Sequence, residues 1–238
     1  MTGSIVNAGA IILGGLMGFF FGKKLKRNHQ ETLTAACGVG TVFIAVTGAL
    51  KYLLLDDRFS AFGGALVVAC LALGGLAGEL LNIEGWFERF GEWLKRRTGN
   101  AKDPGFVNGF VTASLTVCIG AMAIMGAIQD GISGDWSILA IKAVLDLIII
   151  LVMTSSLGKG CVFSAIPVFL WEGSLTLLAS ALRPLMSDRV LSSLSLVGSV
   201  LIFCVGLNLL RERKIRVANL LPAIVFAVLS AFLPIPGF

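Results

Sequence analysis

Apolar residues in this chain run in long unbroken stretches, and polar residues gather in short clumps between them. At a rise of about 1.5 Å per residue, roughly 20 apolar residues in a helix cross the hydrocarbon core of a bilayer. Eight stretches meet that condition: 4–22, 33–54, 60–81, 106–128, 137–157, 162–182, 191–210 and 217–235. The sixth is the least regular, because it holds Pro167 and Glu172. The pattern predicts an all-α polytopic membrane protein of about eight transmembrane helices. One connecting segment, 82–105, has a different period. In "NIEGWFERFGEWLKRRTG" the residues Ile83, Trp86, Phe87, Phe90, Trp93 and Leu94 recur at three- and four-residue steps, with Glu88, Arg89, Glu92, Lys95 and Arg96 opposite. That is an amphipathic helix suited to the cytoplasmic membrane surface, with its tryptophans at headgroup depth. A partner protein is the other surface such a helix would fit.

Composition agrees with the pattern. Apolar residues are 56% of the 238, and charged residues 14%, against about 25% charged in soluble domains. The net charge of +5 comes from three basic clumps, "KKLKR" (23–27), "KRR" (95–97) and "RERKIR" (211–216), each beside an apolar run. Clumps of this kind are orientation signals, not a nucleic-acid surface, so no nucleic-acid partner is expected. Placing all three inside puts both termini outside. The outer loops "DDR" (56–58), "QDGISGD" (129–135) and "LRPLMSDR" (182–189) lack a strong basic excess. The basic residues follow the first apolar run and no A-x-A site follows it, so that run reads as a retained span, not a cleaved leader. Five cysteines stand singly in apolar surroundings, and His29 lies in a polar loop. Disulfide, zinc and cofactor sites are therefore not expected.

The stretches 33–50 and 191–208 align without gaps. Leu33/Leu191, Val39/Val197, Gly40/Gly198, Val42/Val200, Ile44/Ile202 and Gly48/Gly206 are identical, and Thr41/Ser199 is conservative. Five spans separate the equivalents, so the two copies run in opposite senses. The expected organisation is an inverted repeat: a first three-helix repeat (1–81), the amphipathic linker (82–105), a central helix pair (106–157) and a second three-helix repeat (158–238), all one membrane domain. Gly14, Gly18 and Gly22, with Gly74 and Gly78, form small-residue ridges for helix packing within the bundle or between copies of the chain.

The chemistry sits in the middle spans. Lys142 and Asp146 lie about 7 and 13 Å into the fifth, and Glu172 about 15 Å into the sixth, by helical rise. A lone charge at that depth costs about 2.5–3.5 kcal/mol, so these residues need partners or a function. Lys142 and Asp146 share a helical face, although lysine preceding an acid is the weaker order for a structural pair. Two carboxylates and one ammonium leave one negative charge over, to be balanced by a proton or a cation. Asn208 joins Lys142, Asp146 and Glu172 as a candidate for substrate or ion binding. Asn7, Ser155, Ser156 and Asn219 read individually as interhelical glue, with Asn7 and Asn219 discounted for lying near span ends. Gln129, Asp130 and Asp135 are outer-mouth candidates that could attract cations. Nucleotide-loop, dinucleotide, zinc-protease and serine-hydrolase motifs are absent, and one loop histidine offers little for acid–base work, so no enzymatic activity is expected.

Several stretches, "GSIVNAGAIILGGLMG", "GFVTASLTVCIGAMAIMGAIQDGISGD", "KAVLD", "VFSAIPVFLWEGSLTLLA" and "VGLNLLRERKIRVANLLPA", resemble the bacterial inner-membrane family termed domain of unknown function 554, the YqgA/YdfK-like proteins. The resemblance covers essentially the whole chain. It implies a multi-pass fold in the bacterial cytoplasmic membrane and brings no established substrate. It also implies glutamine as a common residue at position 172, so that an obligate proton-carrying role there is not expected, while Lys142 and Asp146 match the family pattern. Two functions fit. One is a secondary transporter or permease for a small solute or ion, with the bilayer as its other partner and a homo-oligomer as a compatible assembly. The other is a scaffold or sensor subunit in which the charges are internal staples. The first requires hydrated space at the polar site; a dry, sealed contact would argue for the second.

Overall fold

The computed structural model describes residues 1–22, 26–55, 62–119, 121–211 and 215–232. Parts of the first and third basic clumps (23–25 and 212–214) and the outer turn 56–58 lie outside these. Twelve α-helices follow in order among the described residues: α1 Thr2–Gly22, α2 Arg27–Leu55, α3 Gly63–Leu81, α4 Ile83–Arg97, α5 Phe106–Cys118, α6 Ala121–Ser133, α7 Ser137–Leu157, α8 Ala165–Leu177, α9 Ala179–Leu182, α10 Asp188–Leu210, α11 Val217–Leu220 and α12 Ala223–Ser230. A 3-10 helix, Lys159–Ser164, leads into α8, and no strand occurs among the described residues.

Six segments are long and apolar enough to cross a bilayer: Thr2–Gly22, Asn28–Leu54, Gly63–Leu81, Ser137–Leu157, Lys159–Leu177 and Asp188–Leu210. The fourth stretch expected from sequence is instead two helices, Phe106–Cys118 and Met122–Ser133, bent by 61°. The eighth is short, an apolar piece over Val217–Ser230. Pro222 explains that interruption: it has no N–H to donate back into the preceding turn, so α11 stops and a new helix begins behind it. Pro167 is tolerated because it falls in the first turn of α8, where N–H groups have no intrahelical partner anyway.

The chain forms two compact units, Met1–Cys37 with Phe87–Pro184, and Gly38–Trp86 with Leu185–Phe238. In the first, α1 lies directly on α7. A Cβ on Gly14 or Gly18 would collide with the carbonyl oxygen of Leu147 or Leu151, and one on Gly22 would stand 2.8 Å from Ser155 Cα. Each step of four along α1 meets a step of four along α7, so the two helices run parallel at backbone contact. Glycine is what permits this approach. The helix α4 crosses from one unit to the other, and its apolar residues do not act as one stripe. In the first unit Phe87 and Leu94 pack with Phe106, Phe110 and Phe163, and a Cβ added on Gly91 would stand 2.9 Å from the Phe110 ring. Phe90 and Trp93 stack with 5.8 Å between ring centroids, and Trp93 is exposed, as is Trp86.

The second unit is built on the same device. Gly74 and Gly78 of α3 bring that helix against the backbones of Ala223 and Asn219, and Cys70, Val197, Ala223 and Ala227 form its apolar centre. Asn82 ends α3 in the left-handed conformation, φ 49°, which asparagine tolerates better than most residues. Between α2 and α10, a Cβ added on Gly48 would stand 2.6 Å from Ser199 Oγ and one on Gly206 2.8 Å from Val42 Cγ2. Numbers rise along one helix as they fall along the other, so this pair is antiparallel.

Candidate functional site

Four helices of the first unit deliver polar groups to one place. α1 supplies Asn7, because the face that carries Gly14 and Gly18 also carries Ser4, Asn7 and Ile11, all buried. α7 supplies Lys142 and Asp146 one turn apart, and α8 supplies Glu172. α5 supplies a main-chain carbonyl. Because α5 ends at Cys118, the carbonyls of its last turn have no partner further along a helix. Val117 O instead accepts a hydrogen bond of 2.9 Å from Lys142 Nζ. A cation at a helix C-terminus also meets the negative end of the helix dipole, worth about 0.3–1 kcal/mol and up to about 2 when partly buried.

Lys142 pairs directly with Asp146 Oδ2 and stands 3.6 Å from Glu172 Oε1. Asn7 joins the two acids: its Nδ2 donates to Asp146 Oδ2 at 3.0 Å and to Glu172 Oε1 at 2.8 Å. This settles the orientation of the amide, since the reversed rotamer would aim an oxygen at both carboxylates. Two atoms have no partner, Asn7 Oδ1 and Glu172 Oε2, and both are buried acceptors. One turn along, Thr176 Oγ1 donates to the Glu172 carbonyl at 2.8 Å and lies 3.3 Å from Ser4 Oγ. The group is closed off from solvent in this state: relative exposure is 6% for Lys142, 4% for Asp146 and zero for Glu172 and Asn7.

The candidates named from sequence are thus distributed unevenly. Lys142, Asp146 and Glu172 come together. Asn208 belongs to the second unit, where its amide clasps the backbone of Ile215, donating to the carbonyl and accepting from the N–H, both at 2.7 Å. Asp130 is buried and accepts the Gly3 N–H at 3.0 Å, fastening the start of α1 to α6. Gln129 and Asp135 meet at 2.6 Å. Asp135 also accepts from the Ser137 hydroxyl and N–H, and these bonds hold its carboxyl below the usual carboxylate range. Asn219 accepts the Glu84 N–H at 2.7 Å and donates to Glu79 at 2.6 Å, and Glu79 also pairs with Arg216. Ser155 and Ser156 hydroxyls donate to carbonyls of their own helix.

Asn7 is the member that reasoning from span ends passes over. The available signal was its register: Asn7 precedes Gly14 by seven residues, two turns along the same ridge. A polar side chain on a face of glycines is aimed at the neighbouring helix. No group of three or more His, Cys, Asp or Glu side chains able to hold a metal occurs among the described residues.

Apolar helices in this number, closed around a buried charge group, define a multi-pass helical membrane protein. The chain belongs to the family of proteins of unknown function DUF554, whose model matches residues 2–232. It is 29% identical over 232 residues to the uncharacterized membrane protein YdfK of Bacillus subtilis, covering 98% of this chain and 96% of that one. It is 27% identical to the uncharacterized protein YqgA of Escherichia coli, covering 96% and 95%. No solved structure matches the chain.

Proposed function

We propose that this protein is a secondary transporter or permease of the bacterial cytoplasmic membrane, moving a small solute or ion past a polar site made by Lys142, Asp146, Glu172 and Asn7, without an enzymatic step. The observation that carries this reading is the Lys142 ammonium seated on a carbonyl freed where α5 ends, beside two unpartnered acceptors. Interrupted helices whose free carbonyls and dipole ends face a midplane site are how many carriers hold ions. Burial of the group means that the transport cycle needs a second state, in which the break between α5 and α6 gives access to water.

The helix directions support the topology that transport would use. α1 and α7 are parallel, so if α2 and α3 each cross, the bent pair α5–α6 has to cross as well. The inverted repeat is supported by reciprocal contacts. Under the equivalence of Gly48 with Gly206 and Thr41 with Ser199, the contact of Gly48 with Ser199 maps onto one between Gly206 and Thr41. The observed partner of Gly206 is the adjacent Val42. An eighth crossing through the 217–235 stretch, both termini outside, and α4 at the cytoplasmic surface with Trp86 and Trp93 in the headgroups complete the reading.

The staple reading rests on the same closure: Lys142 finds an acceptor on each of α5, α7 and α8, as a structural network would require. A thermal-shift screen of small metabolites and ions on detergent-purified protein separates the two. A ligand at 100 times its Kd adds about 2.7 kcal/mol of apparent stability. Transport predicts a stabilising compound whose effect disappears in Lys142→Met/Asp146→Leu. An equal shift in that double variant would place binding elsewhere and end the proposal.

A further inference from the structure

We propose that Glu172 and Asn7 form a proton-binding site, in which a proton held on Glu172 Oε2 is donated to Asn7 Oδ1. This deepens the transport reading by naming the ion the site holds, and it rests on that reading only for the proton's movement.

Three observations converge. The first is charge: one ammonium faces two carboxylates, so the fully ionised group carries one net negative charge inside a protein-lined, sealed space. An uncompensated buried charge is strongly unfavourable. The second is the hydrogen-bond inventory. Lys142 donates to Val117 O and Asp146 Oδ2, and Asn7 to Asp146 Oδ2 and Glu172 Oε1, while the buried unpartnered atoms of these side chains are both acceptors, Glu172 Oε2 and Asn7 Oδ1. A site with two acceptors and no donor to share between them is short of one hydrogen. The third is connectivity. The two orphan atoms belong to side chains already joined by Asn7 Nδ2–H to Glu172 Oε1 at 2.8 Å. One added proton closes a second bond in the opposite direction, giving the cyclic pairing of a carboxylic acid with a primary amide. A single proton, transferred from a hydronium ion that leaves as neutral water, therefore removes the excess charge and satisfies both orphans: one O–H bond breaks in the hydronium and one forms on Glu172.

The proton belongs on Glu172 and not on Asp146. Asp146 Oδ2 already receives both Lys142 and Asn7, whereas Glu172 is farther from the ammonium and has one oxygen with no partner at all. Each helix packed around Glu172 contributes its own groups. α7 brings Lys142 and Asp146, α5 brings the Cys118 thiol within electrostatic reach, and α1 brings the neutral Asn7. The acid of α6, Asp130, is engaged by the Gly3 N–H and by the Met1 ammonium.

Loss of the proton would leave a net charge and two bare acceptors in the closed bundle. Release therefore has to accompany opening to water or entry of a cation, and a glutamine at 172, which offers the acceptor and donor of the protonated acid, would hold the same closed arrangement without that step.

Infrared difference spectroscopy at pH 7 on protein in an ester-free detergent tests the assignment. The wild-type minus Glu172→Gln spectrum should contain the C=O stretch of a protonated carboxylic acid, shifted down in D2O. The band should persist in Asp130→Asn and move to higher frequency in Asn7→Ala, where the acid loses its amide partner. Because glutamine offers the same acceptor and donor, Glu172→Gln should keep the wild-type melting temperature, whereas Glu172→Leu should lower it. A difference spectrum showing an ionised carboxylate at 172, or an acid band that disappears only in Asp146→Asn, overturns the proposal. The band reports the proton alone, so it can be present in a protein whose ligand screen fails, which would sink transport and leave the proton site standing.

Discussion

Replacing Lys142 or Asp146 singly by alanine is expected to destabilise the protein by about 3–5 kcal/mol, the range for removing one partner from a buried ion pair. Each single change leaves a different orphan. Without Lys142, the Val117 carbonyl and two carboxylates lose their cation. Without Asp146, the ammonium faces Glu172 at 3.6 Å with Asn7 no longer bridging a pair. The double variant Lys142→Met/Asp146→Leu removes both charges and restores apolar volume, so it should recover most of the loss. Thermal unfolding of the four proteins in one detergent reads this directly. Equal stability of wild type and both single variants would mean that the group is hydrated and loosely held, contrary to its burial.

The second large effect is steric and belongs to the glycine ridges. Gly14→Ala and Gly18→Ala each set a methyl group onto a main-chain carbonyl of α7, and Gly78→Ala sets one onto the Asn219 carbonyl. Backbone cannot step aside as a side-chain tip can, so each should cost about 1–3 kcal/mol or more. Gly9 and Gly64 have nothing within 4 Å of an added Cβ. Alanine there should be neutral or stabilising by up to about 1 kcal/mol, from helix propensity. Melting temperatures that fell equally for Gly9→Ala and Gly14→Ala would contradict the close parallel contact of α1 with α7. Gly14→Ala carries a further consequence for the site, because the same ridge presents Asn7 to Asp146 and Glu172.

What the sequence made legible follows from which physical signals are local. Length and apolarity mark a span without reference to any neighbour, and six of the eight expected stretches are helices long enough to cross. Charge in hydrocarbon is equally local, so Lys142, Asp146 and Glu172 stood out, and they come together. The break between α5 and α6 was not legible in the same way. "VCIGAM" has no proline and no charge, and an apolar stretch reads alike whether its helix is straight or bent by 61°. The apolar stretch 106–128 is of ordinary length for one span, so length gave no signal either; only the structure carries helix on to Ser133. Asn208 was named for its position in a span, and the structure engages its amide with the backbone of Ile215, a contact that position alone does not reveal. The segment read by three- and four-residue spacing contains the helix α4, Ile83–Arg97. Spacing alone does not say that Phe87 and Leu94 would meet α5 while Trp86 and Trp93 remain exposed.

The most direct test asks whether water ever reaches the charged group. Cys118 ends α5 at the break, within electrostatic reach of Lys142, Asp146 and Glu172. With Cys118 kept as the sole cysteine, a charged, membrane-impermeant thiol reagent is applied to protein in native membranes. A transport site that opens predicts that Cys118 is modified, at a rate that changes when Lys142→Met/Asp146→Leu is introduced. Modification by a lipid-soluble reagent alone, with the charged reagent inert throughout, would mean that the group stays dry, and the charges would then be staples holding four helices together.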